Sequence, residues 1–211
     1  MCLAVALATA ACSTETSVKT ETSVSVSTGD EIQKLLDEAE QKLNDGKPDD
    51  ALKIYDDILE KDSNCAFAYN GLAAIFAGKN DYDAAFKEIN KAIELEPNEA
   101  QFISNRGQLY ANIKNFDAAL KDFAKAIELD PNYPETYENR GMLLVANQQF
   151  DKAVKDFDKA IELKPSAVNY NNRGVAHLNL NDNAKAAADF KKALELDPNY
   201  KTAADNLKLV Q

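Results

Sequence analysis

The sequence predicts an all-α fold, an α-solenoid of five helix pairs with a short helix over the last pair. Three observations predict it. Pro97, Pro131, Pro165 and Pro198 recur at spacings of 34, 34 and 33 residues. Each closes a similar run: Lys91-Ala-Ile-Glu-Leu-Glu, Lys125-Ala-Ile-Glu-Leu-Asp, Lys159-Ala-Ile-Glu-Leu-Lys and Lys192-Ala-Leu-Glu-Leu-Asp. Small and bulky residues also return at fixed phase between the prolines. A period of this length marks stacked helical units, each of which hides its apolar stripe only against its neighbours. Seven Gly, six Pro and no Trp argue against a turn-rich β sandwich.

The chain has 211 residues, with 24 Lys and Arg against 35 Asp and Glu, a net charge of −11. That balance lacks the basic footprint of a nucleic-acid binder. Hydrophobic residues make up 45% and charged residues 28%, a globular mixture.

Residues 2–11 read CLAVALATAA, ten apolar or small residues without a charge. The stretch is too short to span a bilayer as a helix and suits a signal-peptide core ending in small residues. Thr9-Ala-Ala-Cys12 follows, and here the chain resembles bacterial lipoproteins, in which such a Cys is lipidated and becomes the mature N-terminus. Thr9 stands where that family usually has Leu, and no basic segment precedes the apolar stretch. The resemblance implies lipidation at Cys12 and a membrane-anchored protein. With Cys2 removed and Cys12 lipidated, only Cys65 remains, so no intramolecular disulfide is expected. Ten of the sixteen residues in 13–28 are Ser or Thr, with no aromatic residue. Residues 12–29 therefore read as a tether, which as a flexible coil would reach about 20–25 Å.

The repeats register as 32–65, 66–99, 100–133, 134–166 and 167–200. A small residue falls in the first helix at Ala39, Ala73, Gly107, Gly141 and Gly174. Another opens the second helix at Ala51, Ala85, Ala119, Ala153 and Ala186, with Tyr55, Ile89, Phe123, Phe157 and Phe190 four residues later. At these residues the chain resembles the tetratricopeptide repeat family, which implies a right-handed α-solenoid. The first repeat is degenerate, with Ile58 at a small-residue position, Ser63 for Pro and Lys42 for an aromatic residue. A mid-helix Gly costs about 0.8–1.0 kcal/mol against Ala, so three at one phase need a packing reason. Close approach of helices beside the Phe supplies it. Residues 201–211 place Ala203, Ala204, Leu207 and Val210 on one helical face, which suits a capping helix.

Arg106, Arg140 and Arg173 sit where the family usually has Leu, and Asp122, Asp156 and Asp189 follow sixteen residues later. Glu88 holds the acid's place in the second repeat, opposite Leu72. Partly buried Arg is normally paired, so ion pairs between helices are expected. Spacing alone leaves open whether they lie within or between repeats.

The resemblance implies a concave surface lined by the first helices, at one stripe of helical positions. Carried onto this chain, the third repeat offers Gln101, Ser104, Asn105, Gln108, Ala111 and Asn112. The fourth offers Glu135, Glu138, Asn139, Met142, Val145 and Ala146, and the fifth Val168, Asn171, Asn172, Val175, Leu178 and Asn179. Asn105, Asn139 and Asn172 form a ladder at one phase. A carboxamide carries donors and an acceptor and can bracket a peptide bond. The apolar residues Met142, Val145, Val168, Val175 and Leu178 would form either a floor beside the ladder or part of the core.

Chaperone-binding members of the family hold a C-terminal carboxylate with a clamp of Lys, Asn and Arg. Here Leu36, Asn70 and Ser104 stand where its first Lys would be, and Asn139 and Asn172 where Arg is needed. A chaperone tail is thus not the expected ligand. No phosphate loop, HExxH or EF-hand motif occurs, and His177 reads as a packed residue at an aromatic position. The recurrent Glu94, Glu128, Glu162 and Glu195 read as a solvated face. The expectation is a non-enzymatic interaction scaffold without cofactor, metal or small-molecule substrate. It would be anchored at the bacterial envelope and bind a partner peptide or helix; the alternative is a soluble cytosolic adaptor with a disordered N-terminal tail.

Overall fold

The computed structural model describes residues 28–210, which contain eleven helices and no strand. In chain order they are α1 (Thr28–Asn44), α2 (Pro48–Lys61), α3 (Ala66–Gly78), α4 (Tyr82–Leu95), α5 (Ala100–Asn112) and α6 (Phe116–Leu129). They continue with α7 (Pro134–Ala146), α8 (Phe150–Leu163), α9 (Ala167–Asn179), α10 (Asn183–Leu196) and α11 (Lys201–Lys208). Residues 2–11, Cys12 and the tether up to residue 27 lie outside the described residues. Thr28 and Gly29, assigned above to the tether, belong to α1.

Each predicted pair folds onto itself: α1 on α2, α3 on α4, α5 on α6, α7 on α8 and α9 on α10. The helices group into two compact units divided after Asn98. Within each unit the second helix of one pair packs on the first helix of the next, so the chain is all-α and consists of helical repeats.

One turn recurs between the helices of a pair. Asn80, Lys114, Gln148 and Asn181 adopt left-handed φ of 60°, 62°, 57° and 62°, and Gly46 has φ of 72°. The next backbone N–H then reaches back to the first helix: Asp81 to Phe76, Asn115 to Tyr110, Gln149 to Leu144 and Asp182 to His177, at 2.8–2.9 Å. This left-handed stop satisfies carbonyls that the helix end leaves open. The second helix begins at once, and the side chains of Asp81, Asn115 and Asp182 accept from the N–H of Ala84, Ala118 and Lys185. Such caps offset the unsatisfied donors of a helix start.

The second helices end for another reason. Glu96, Asp130, Lys164 and Asp197 leave the helix with φ between −129° and −149°. A proline follows each, and its ring disfavours helical backbone at the residue before it. Asp62 takes the same extended turn with Ser63 in the proline's place, its carboxylate accepting from Asn64 N–H at 3.0 Å.

The core explains the glycines. Ala51, Ala85, Ala119, Ala153 and Ala186 are fully buried, as are Tyr55, Ile89, Phe123, Phe157 and Phe190. A Cβ added at Gly107 would lie 2.9 Å from Phe123 Cε1, at Gly141 2.8 Å from Phe157 Cε1, and at Gly174 2.6 Å from Phe190 Cε1. The ring fills the space that the missing side chain leaves. Gly71, which the repeat pattern did not single out, does the same for Tyr55: its added Cβ would come within 2.6 Å of Tyr55 Cε1. Phe123 also packs with Leu143 of the next pair, and Phe157 with Ala176.

The last helix, α11, packs on α10 and α9 with Ala203 fully buried. It ends at Lys208 rather than at the predicted 211.

These contacts order three substitutions. Gly141→Ala and Gly174→Ala should each lower unfolding free energy by about 1–3 kcal/mol, because overpacking outweighs the gain in helix propensity. Gly78→Ala, whose added Cβ meets nothing within 4 Å, should instead raise it by about 0.4–1 kcal/mol. Urea midpoints of the three variants check the opposite signs.

Candidate functional site

The candidate groove residues all belong to the second unit, on α5, α7 and α9. These first helices touch one another directly, α5 on α7 and α7 on α9. Thr136 Oγ1 donates to Ser104 Oγ at 3.0 Å, and both side chains are buried. Ser104 and Gln101, expected to line the groove, are therefore core residues at the contact between helices.

Beneath this row the charges are consumed within the pairs. Arg106 donates to both Asp122 oxygens at 2.7 and 3.0 Å, and Arg140 to both of Asp156 at 2.7 Å. Arg173 holds both oxygens of Asp189 at 3.0 and 2.7 Å. Spacing left the pairing open; the geometry puts each pair within its repeat. Glu88, left over, takes Lys87 at 2.9 Å. Arg173 adds a bond from Nη1 to Asp158 of the preceding repeat at 2.7 Å. The hydrogen bonds to carboxylate raise all three guanidinium pKa values above the ordinary arginine value. Bidentate bonds fix both the charge and the angle of the Arg plane. His177 is nearly buried, with Nε2 4.0 Å from Asp189 Oδ2.

The groove positions divide. Asn105, Gln108, Glu135, Glu138, Asn139, Met142, Asn172 and Val175 are partly exposed, and Asn112 and Asn179 are exposed. Gln108 donates to Asn112 Oδ1 at 3.0 Å, and Asn179 to the Val175 carbonyl at 2.8 Å. Asn171 departs from expectation. It is 3% exposed, and its Oδ1 accepts from Asn206 at 2.9 Å while its Nδ2 reaches Asn172 Oδ1 at 3.4 Å. It ties α11 to α9 and presents nothing to a ligand. Met142 and Val145 lean on the buried cluster of Leu144, Ala153, Phe157 and Ala176, which places them with the core. Val168 is 41% exposed.

Two polar residues escaped the sequence reading. Asn206 lies 34 residues after Asn172 and extends the Asn phase into α11, a continuation of the period that could have flagged it. Asn169 is 2% exposed. Its carboxamide favours the charged form of Glu138, and its Oδ1 is buried without a partner. Glu135, one turn before Glu138, is bound by Lys164 at 3.0 Å.

Burial, and then the charge of Glu135, raises the Glu138 carboxyl above the ordinary glutamate value; the Asn169 bond and Lys164 oppose this. Tyr200 is raised by burial and by Glu138. Among the described residues no group of three or more His, Cys, Asp and Glu is placed to hold a metal ion, and no helix is long and apolar enough to cross a membrane.

Two predictions follow the charges. Asp156→Ala leaves Arg140 half-buried with no acceptor and should cost about 2–4 kcal/mol, whereas Arg140→Met with Asp156→Leu should fall within about 1 kcal/mol of wild type. Urea denaturation of the single and double variants separates the two. The second concerns Glu138, whose folded-state carboxyl binds its proton more tightly than in the unfolded chain. Its contribution to stability is then present at low pH and lost as pH rises through the range just above the ordinary glutamate value. Glu138→Gln should therefore gain on wild type as pH rises from about 4 to about 7, read from melting temperatures at each pH.

A model of the ETO1 C-terminal domain family matches residues 16–211 of the chain. Solved structures give the same architecture. YrrB, described as a TPR protein with an unusual peptide-binding site, is 26% identical over 82% of this chain and 90% of its own, with a TM-score of 0.60. A thermophilic TPR protein of Thermus thermophilus is 18% identical over 85% of this chain and 98% of its own, with a TM-score of 0.74, a likeness of fold. The first TPR of Spaghetti, bound to an HSP90 peptide, is 27% identical over 53% of this chain and 90% of its own, with a TM-score of 0.52.

Proposed function

We propose that this chain, which belongs to the ETO1 C-terminal domain family and is built of tetratricopeptide repeats, is a lipid-anchored protein of the bacterial envelope. In this reading it holds an extended peptide or helix of a partner protein on the first helices of residues 99–211. Proteins of this repeat type are interaction scaffolds, not enzymes. The finer reading rests chiefly on one observation. Asn105, Asn139 and Asn172 recur at one phase and stay partly exposed, while the neighbouring Arg side chains are consumed by Asp122, Asp156 and Asp189. Partly exposed amides in register with the repeat suit recognition of a peptide backbone. The peptide-binding site named for YrrB and the peptide bound to Spaghetti support a ligand of this class. The residues Leu36, Asn139 and Asn172 lack the charges of a carboxylate clamp, so the ligand is read through its backbone and side chains and not through a C-terminal carboxylate.

The anchor rests on residues 2–11 and Cys12. Thr9 in the place of Leu favours the second reading, a soluble cytosolic adaptor. Mass spectrometry and membrane partition of the mature protein, with and without Cys12→Ser, separate the two. A lipid mass increment and membrane partition that both disappear in Cys12→Ser are expected; an unmodified soluble protein leaves the cytosolic adaptor. For the groove, Asn139→Ala with Asn172→Ala should reduce capture of partner from an envelope extract about tenfold with the melting temperature unchanged. Unchanged capture would reject the groove.

A further inference from the structure

Glu138 differs from every other half-buried or buried carboxylate of α5–α10. Asp122, Asp156 and Asp189 each hold an Arg through two bonds, and Glu135 holds Lys164. No Lys or Arg of the described residues lies within ion-pair distance of Glu138, and Glu135 beside it has the same charge. The cations of α7 and α9 and the lysine that acts on Glu138 are committed: Arg140 to Asp156, Arg173 to Asp189 and Asp158, and Lys164 to Glu135. Beside Glu138 sits Asn169, 2% exposed, whose carboxamide favours the charged carboxylate and whose one side-chain oxygen is buried without any donor. A partly desolvated carboxylate without a counter-ion is unfavourable, and so is a buried carbonyl oxygen without a donor. A cation with several N–H donors, entering from the groove, supplies the counter-ion that the partly exposed Glu138 lacks, next to the one buried carboxamide oxygen of α9 that has no donor.

We propose that Glu138, backed by the Asn169 carboxamide, is the seat for a lysine or arginine side chain of the partner peptide. The assignment rests on the groove reading above and adds the ligand's chemistry to it. Met142, one turn along α7, is partly exposed beside the core cluster it packs on, and offers apolar surface to the methylene stem of such a side chain. Charge complementarity then sets which residue of the peptide enters at this rung, while the Asn phase reads backbone on either side.

The test uses the full-length mature chain and three acetylated, amidated heptapeptides, Ala-Val-Thr-Xaa-Thr-Val-Ala. Xaa is lysine, arginine or norleucine, the last matching lysine's stem without its charge. The chain has two methionines, Met1 and Met142, so methionine methyl labelling puts an NMR reporter one turn from Glu138. The lysine and arginine peptides should shift the Met142 methyl and bind about tenfold more tightly than the norleucine peptide. In Glu138→Gln, whose fold is checked by its melting temperature, the three should bind alike. Equal binding of all three to wild type overturns the cation seat and leaves the groove standing. A lysine preference that survives in Glu138→Gln overturns the assignment to Glu138. No shift from any of the three overturns the seat together with the groove.

Discussion

The close contact between a side-chain-free stretch of first helix and an aromatic ring of a second helix governs this structure. Gly107, Gly141 and Gly174 let Phe123, Phe157 and Phe190 lie close against the helix backbone, with no room for even one carbon more. That distance sets how near the two helices of a pair run. It also decides what else fits between them: Ala119, Ala153 and Ala186 at the crossing, and an Arg–Asp fork beside it. Glycine's loss of helix propensity is thus offset by ring burial and dispersion, which act over many atom pairs at once. Between the first and second pairs the same kind of contact recurs, with Tyr55 of α2 against Gly71 of α3.

From that constraint follows a division of roles along the repeat. The second helices supply rings, acids and the crossing alanines, and their outward faces carry the recurrent Glu and Lys. The first helices turn one face to the rings and keep another for small polar residues. In the second unit the Arg side chains leave the first helices sideways and are bound within their own pair, so they add no positive charge to the groove. The exposed stripe is left with amides, two glutamates and a few apolar atoms. One of the glutamates has Lys164, and the other has only the Asn169 amide. A scaffold that spends its cations on its own fold presents a surface suited to a partner that brings them.

Much of this was legible in the sequence because a repeated fold writes each contact several times. The Pro spacing located the ends of the second helices, and the Ala and Phe positions matched the buried crossings residue by residue. Other features were hidden for identifiable reasons. The left-handed turn residues are Gly46, Asn80, Lys114, Gln148 and Asn181, a mixed set, so composition gave no signal after the first turn. Whether Arg140 pairs with Asp156 or with a neighbouring repeat depends on rotamer and crossing angle, which spacing does not encode. Asn171 and Asn172 are adjacent and alike in sequence, yet a rotation of 100° along the helix buries one under α11 and leaves the other at the groove. Asn169 matters through one unpartnered oxygen, a property of packing and not of pattern.

The central claim is that the first helices of residues 99–211 meet the partner while the second helices serve the fold. Site-specific photo-cross-linking tests it most directly. A photoreactive phenylalanine analogue is placed at Asn139 or Asn172 on the first helices, and at the exposed Lys121 or Lys155 on the second. The account predicts partner adducts at 139 and 172 and none above background at 121 and 155. Adducts concentrated at 121 and 155, or spread evenly over all four positions, would contradict it.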